Sequence, residues 1–181
     1  GVAPGKCRSS SISARPVIDA TLLAINEINE RGGILGRQIE AIVADGKSDN
    51  AIFDREAAKL IVEKKVVTLF GGWSSSNRHS MRPIIERTGN LLMFPARDEG
   101  LEDSLNVIYC GPVPNQLVVP ALRWCLANRK VERIFYMGTD GMFSHTAAEI
   151  IRDALSAMAA NGSGREGGHD KDRPRIVGES F

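Results

Sequence analysis

The sequence predicts an α/β fold, with parallel sheets carrying helices on both faces. Three observations predict it. Strand-like and helix-like segments alternate along the chain, the pattern of parallel sheets with crossover helices. The strand candidates are short apolar runs, as strands buried in a parallel sheet are. Glycines and prolines stand at the joints between segments. The 181 residues suffice for one large domain or two small lobes, and 43% hydrophobic with 25% charged residues fits a folded soluble protein. A formal net charge of +1 excludes a global nucleic-acid footprint. No apolar run approaches the ~20 residues that cross a bilayer. The chain opens at Gly1 without an initiator Met or signal peptide, which reads as a processed or excised form whose compartment its own N-terminus does not give.

The elements follow in order. Residues 16–31 read as a helix, with Pro16 at its start, Val17, Ala20, Ala24 and Ile28 on one face, and Gly32-Gly33 as its stop. Residues 39–44 read as a strand ended by Asp45-Gly46. Ser48 or Asp49 caps the next helix, whose stripe is Phe53, Ala57, Leu60 and Ile61. Strands are expected at 66–70, 91–94 and 106–110, with a helix over 75–88. Pro112 and Pro114 interrupt the chain, which places a crossing or hinge at 111–116. A helix at 115–128, a strand at 133–137, a loop at 139–143, a helix at 144–160 and a strand from Ile176 complete the pattern. Residues 161–175 mix glycines with charges of both signs and read as a mobile surface loop.

The stretch from Val66 to Arg78 carries the sharpest functional signal. An apolar run ends in Gly71-Gly72, then Trp73 and three serines, Ser74, Ser75 and Ser76, lead into an amphipathic helix. A helix N-terminus offers backbone N–H groups and the positive end of the peptide dipole, and serine hydroxyls add donors there. Such a corner takes a carboxylate, phosphate or amide oxygen without a charged side chain; the plainer reading is a serine N-cap. In open parallel sheets ligands sit at the carboxyl ends of the strands, which here are the loops 45–49, 71–76, 95–100 and 138–144.

Catalytic and cofactor chemistry finds little support. His79 with Ser75, and Asp45 or Asp98 as a third member, can be imagined as a hydrolase. There is no G-x-S-x-G elbow, however, and a residue four positions on points along the helix rather than back at its cap. Asp45 as a phospho-acceptor would need a lysine on a later strand, which is missing. Gly32-Gly33-x-x-Gly36 follows a helix, whereas a dinucleotide fingerprint follows a strand. No His, Cys or Asp cluster has metal spacing, so no metal or cofactor is expected. Of three cysteines, Cys125 reads as a small core residue; Cys7 and Cys110 fall near strand ends without a disulfide framework.

The run Asp19-Ala20-x-Leu22-Leu23-Ala24-Ile25-x-Glu27-Ile28-Asn29-x-x-Gly32-Gly33-Ile34-Leu35-Gly36-Arg37 resembles the first helix and turn of type I periplasmic binding proteins. These are the solute-binding components of ABC importers for branched-chain amino acids, short amides and urea. Asp45-Gly46-x-Ser48-Asp49, Phe70-Gly71-x-Trp73-x-Ser75, Glu99-Gly100-x-Glu102, Pro114-Asn115-Gln116 and Phe143-x-x-Thr146 are similar to the urea and amide branch. The resemblance extends to about residue 160, and together these motifs are specific.

The resemblance implies two α/β lobes that close on a ligand like a clamshell, with residues 1–112 forming most of the first lobe and 113–181 part of the second. Family members are about twice this length, so the clamshell is expected to be incomplete. It implies an extracytoplasmic, non-enzymatic protein, periplasmic or extracellular, that hands a small polar ligand to an ABC permease or, alternatively, senses it for a membrane receptor or kinase. Ligand contacts would come from Trp73, Ser74, Ser75 and Ser76, from Ala96, Arg97 and Asp98, and from Asp140 and Gly141. Where the urea and amide branch has Gln-Tyr before Glu99-Gly100, this chain has Arg97-Asp98; Gly141-Met142 replaces an aromatic, and Cys7-Arg8-Ser9 replaces Thr-Gly-Thr. Arg97 beside the serine corner would suit an anion. An incomplete sheet exposes edges and apolar faces, which favours a homodimer.

Overall fold

The computed structural model describes residues 2–3, 11–129, 131–160 and 174–181. Cys7 and nearly all of the expected loop 161–175 lie outside the described residues. The chain divides into two compact units, one of Gly1–Arg97 with Glu102–Gly111 and one of Asp98–Leu101 with Pro112–Phe181.

In the first unit a four-stranded sheet, order β1-β2-β3-β4, is parallel throughout: β1 (Val2–Ala3), β2 (Leu69–Gly71), β3 (Leu92–Phe94) and β4 (Val107–Tyr109). Helix α1 spans Ser11–Glu30 and so begins five residues before the sequence suggests, with Pro16 inside it. Proline is tolerated in the first helical turn because those N–H groups lack acceptors; Pro16 lies just past that turn and forfeits a single ladder bond. Gly32 and Gly33, at φ 101° and 78°, end α1 through bonds from their N–H groups to the carbonyls of Asn29 and Ile28.

Residues 39–44 form no strand; Val43 makes only an isolated bridge. At the head of this run the Asn29 side chain binds Ile39. Its amide donates to the Ile39 carbonyl at 2.9 Å and its carbonyl accepts from the Ile39 N–H at 2.7 Å, so a side chain occupies backbone groups that a ladder would use. Helix α2 (Asn50–Ala58) is capped by Asp49, whose Oδ1 accepts from the N–H groups of Ala51 and Ile52, and it continues as a π turn over Lys59–Glu63. Left-handed Lys65 then turns the chain, so Val66 and Val67 are spent in the connection and β2 starts at Leu69, later than the run 66–70 implies.

Helix α3 covers Ser75–Thr88. Phe53, Ala57 and Leu60 of α2 with its π turn and Met81, Ile84 and Ile85 of α3 pack on Leu69, Leu92, Phe94 and Val107 to make the core. The strands alternate faces, and Phe70, Met93 and Ile108, in register on the other face, remain partly open. At the strand starts the Asn106 amide donates to the Asn90 carbonyl and the Asn90 amide to the Val66 carbonyl, both at 2.8 Å, while the Thr68 hydroxyl donates to the Leu91 carbonyl at 3.1 Å.

The second unit holds α4 (Pro114–Arg129), β5 (Arg133–Met137), α5 (Met142–Ala160) and β6 (Arg175–Ser180). Pro114 opens α4 rather than excluding it, because a first helical position needs no N–H donor. Strands β5 and β6 pair in parallel with an irregularity between Ile134 and Phe135. Gly178 lies under the Phe135 ring, where a Cβ would come within 2.7 Å of it. Arg152 of α5 pairs with Glu149 and reaches Glu179 of β6. Among the described residues no helix is long and apolar enough to cross a membrane.

Candidate functional site

The serine corner takes its shape from two glycines and a reciprocal cap. Gly71 and Gly72, at φ 135° and 80°, turn the chain out of β2. A Cβ on Gly72 would meet Met81 at 3.1 Å and the Phe94 ring at 3.2 Å, so glycine also lets the turn sit down on the core. Ser74 is the N-cap of α3: its Oγ accepts from the Asn77 N–H at 3.2 Å, and the Asn77 side-chain carbonyl accepts from the Ser74 N–H at 3.3 Å. Ser74 and Ser76 hydroxyls lie 2.9 Å apart, and Ser75 is buried. The Asn77 amide donates to the Asn50 side chain at 2.9 Å, which ties the first turn of α3 to the first residue of α2. Two helix N-termini therefore meet, and their positive dipole ends add. Ser74→Ala is expected to cost about 1 kcal/mol of stability, measured by urea denaturation, as loss of an N-cap does.

Because β2 and β3 are neighbours, the turn after β3 lies beside this corner. Ala96 is buried and Arg97 exposed. The end of β4 crosses close by, since a Cβ on Gly111 would lie 2.0 Å from the Ala96 carbonyl oxygen. Trp73, Ser74, Ser75, Ser76, Ala96 and Arg97 thus share one end of one sheet.

Asp98, Asp140 and Gly141 belong to the second unit. Asp98 is 2% exposed; its Oδ1 accepts from the Gly100 N–H at 2.8 Å, and its Oδ2 has no hydrogen-bond partner. Asp140 follows β5 at the surface and receives the His145 ring nitrogen Nε2 at 2.9 Å. The Gly141 carbonyl accepts from the N–H groups of Ser144 and His145 at the start of α5, and the His145 ring stacks on Phe181 with centroids 4.0 Å apart.

Sequence reading gave no role to Arg78. Its side chain is fully buried, with Nε 2.5 Å from Glu102 Oε2 and the guanidinium 4.9 Å and 5.6 Å from the Phe94 and Tyr109 ring centroids. The available signal was its place three residues before Met81, on the apolar stripe of α3. Arg82 holds the other Glu102 oxygen at 3.1 Å, and His79 Nε2 lies 3.5 Å from Oε2. The imagined hydrolase base is thus drawn to Glu102. At the rim, the Ser104 hydroxyl and then Arg82 hold the Glu86 carboxyl below its usual pKa. Among the described residues no group of three His, Cys, Asp or Glu side chains is placed to hold a metal ion.

A model of the periplasmic binding protein domain matches residues 5–165. The chain also resembles solved structures. With the substrate-binding protein of a branched-chain amino acid transporter from Streptococcus pneumoniae, in complex with isoleucine, it shares 19% identity at a TM-score of 0.81, covering 99% of this chain and 47% of that one. With a substrate-binding periplasmic protein from Ralstonia solanacearum the values are 14%, 0.83, 98% and 47%. With a solute-binding protein of an ABC transporter from Rhodopseudomonas palustris, in complex with 3,4-dihydroxybenzoic acid, they are 18%, 0.76, 98% and 45%. At these identities the likeness is one of fold, and the chain spans just under half the length of each.

Proposed function

Because the chain belongs to the periplasmic binding protein domain family, we propose that it serves as an extracytoplasmic solute-binding module for a small polar ligand of the amino acid, amide or urea type. The observation that carries this reading is the corner at Trp73–Ser76, where the joined N-termini of α2 and α3 lie beside the turn that bears Ala96 and Arg97. The first turn of α3 presents backbone N–H groups at the positive end of the helix dipole, a chemistry suited to a carboxylate or amide oxygen. Asp98, Asp140 and Gly141, in the second unit, are candidate contacts on the family resemblance alone. The ligand would pass to the permease of an ABC importer, and the bound proteins from Streptococcus and Rhodopseudomonas support that general chemistry without fixing this ligand. The protein acts by binding rather than by turnover, in the periplasm or outside the cell.

A thermal-shift panel of urea, short amides, aliphatic amino acids, small dicarboxylates and aromatic acids tests this, with the mass in solution recorded to detect a homodimer. A ligand at ~100 times its dissociation constant stabilises by about 2.7 kcal/mol. One ligand class is expected to raise Tm, and Ser75→Ala is expected to abolish that shift while leaving the ligand-free Tm within a few degrees. A panel that moves Tm for no class removes the reading; turnover of any member that Ser75→Ala abolishes replaces it with a hydrolase.

A further inference from the structure

The amino end of the first unit's sheet carries apolar side chains where surface connections ordinarily carry polar ones. β2, β3 and β4 are neighbours and parallel, so the segments that feed them lie at one end. Each segment presents an exposed apolar residue just before its strand: Val67, 88% exposed, Leu91, 38%, and Leu105, 94%. Val62 of the π turn, also exposed, joins them, because the Val66 N–H donates to the Leu60 carbonyl and holds the connection on that turn. The Asn90 and Asn106 amides and the Thr68 hydroxyl bond the three segments to one another, so the row stands on a fixed base. At the strand spacing of a sheet, Val67 and Leu105 stand about 10 Å apart across β3. The flanking charge is basic. Lys59, Lys64 and Lys65 are exposed in a segment with one acid, Glu63, and exposed Arg87 lies in the last turn of α3. Asp103 is also at this end, while Glu86 is held by Arg82 and the Ser104 hydroxyl.

We propose that this end of the first unit docks on an anionic lipid surface, with Val62, Val67, Leu91 and Leu105 entering the headgroup region and the lysines meeting lipid phosphates. Apolar tips bordered by cations are the chemistry of interfacial binding. A handful of apolar side chains gives only marginal affinity, so insertion and charge act together. A second copy fits less well, because a two-fold contact sets the same patch against itself and brings lysines against lysines. The contact is peripheral, since among the described residues no helix is long and apolar enough to cross a membrane. The serine corner follows the opposite end of β2, so docking leaves that corner uncovered and the proposal holds whatever the solute.

Flotation with vesicles of phosphatidylcholine alone, or of phosphatidylcholine with phosphatidylglycerol, tests this. The protein is expected to float with the anionic vesicles and not the neutral ones, and to be released as salt rises. Val67→Ser with Leu105→Ser is expected to lower the partition coefficient by about tenfold or more. Lys64→Gln with Lys65→Asn is expected to lower it roughly fivefold for each cation removed. Asparagine suits the left-handed φ of 52° at Lys65. These four side chains are exposed, so Tm is expected to hold in both variants. Met137→Ser removes an exposed apolar side chain of the second unit and is expected to leave the partition unchanged. No binding to anionic vesicles overturns the proposal, and so does equal binding to neutral ones or undiminished binding after Val67→Ser with Leu105→Ser. Sedimentation velocity without vesicles tests the other occupant: a dimer that this same variant dissociates gives the row to a second copy and overturns lipid docking.

Discussion

Arg78→Ala is expected to lower the free energy of unfolding by about 3–5 kcal/mol, the range for breaking a buried ion pair from one side. The deletion strips Glu102, itself nearly buried, of its closest partner and empties the space beside Phe94 and Tyr109. Arg82 still holds one Glu102 oxygen, which puts the expected loss toward the lower end. Urea denaturation monitored by circular dichroism gives the value directly from the midpoint and slope. The double variant Arg78→Met with Glu102→Gln is expected to recover most of the loss, since removing both charges leaves no carboxylate stranded. A single-variant loss below about 1 kcal/mol would mean that the pair behaves like an exposed one.

Phe53→Ala is expected to cost about 3–5 kcal/mol, as truncation of a buried phenylalanine does. Phe53 is 1% exposed and lies against Gly46, where an added Cβ would come within 2.5 Å of the ring. The two positions share one space, which the sequence records as Asp45-Gly46 followed seven residues later by Phe53. Gly46→Ala is therefore also expected to destabilise, and the double variant is expected to lose less than the two single losses combined, because alanine at 46 grows into the space the ring leaves. Thermal and urea unfolding of the four proteins in the cycle measure that coupling.

The fold class and most elements were legible because they rest on strong local signals. Arg133–Met137 is a strand as read, and the serines before Met81 mark the start of α3 at Ser75. The strand expected at 39–44 does not form, and at its first residue the Asn29 side chain holds the Ile39 backbone, a contact that apolar patterning does not encode. The start of α1 was misplaced because Pro16 carries a strong first-position preference that the observed helix overrides. Ser74 was visible as a cap, but its tie through Asn77 to Asn50 joins positions 27 apart and needed the fold. Arg78 was hidden for a similar reason: a lone arginine in a serine-rich helix start reads as surface until Glu102 is brought to it. The unmet oxygen of Asp98 is a matter of burial, which no spacing reveals.

The asparagine and threonine pegs at the strand starts have a consequence at the opposite end of the sheet. Both faces of β2, β3 and β4 carry apolar side chains, so alternation of polar and apolar residues guards weakly against sliding of one strand along its neighbour. Asn90, Asn106 and Thr68 bond to fixed carbonyls and act as an alignment stop. A slip of one residue displaces a strand by about 3.3 Å, more than the tolerance of a hydrogen bond. The spacing between the serine corner and the turn after β3 is therefore set from the far end of the sheet, by side chains that bond the backbone of neighbouring segments.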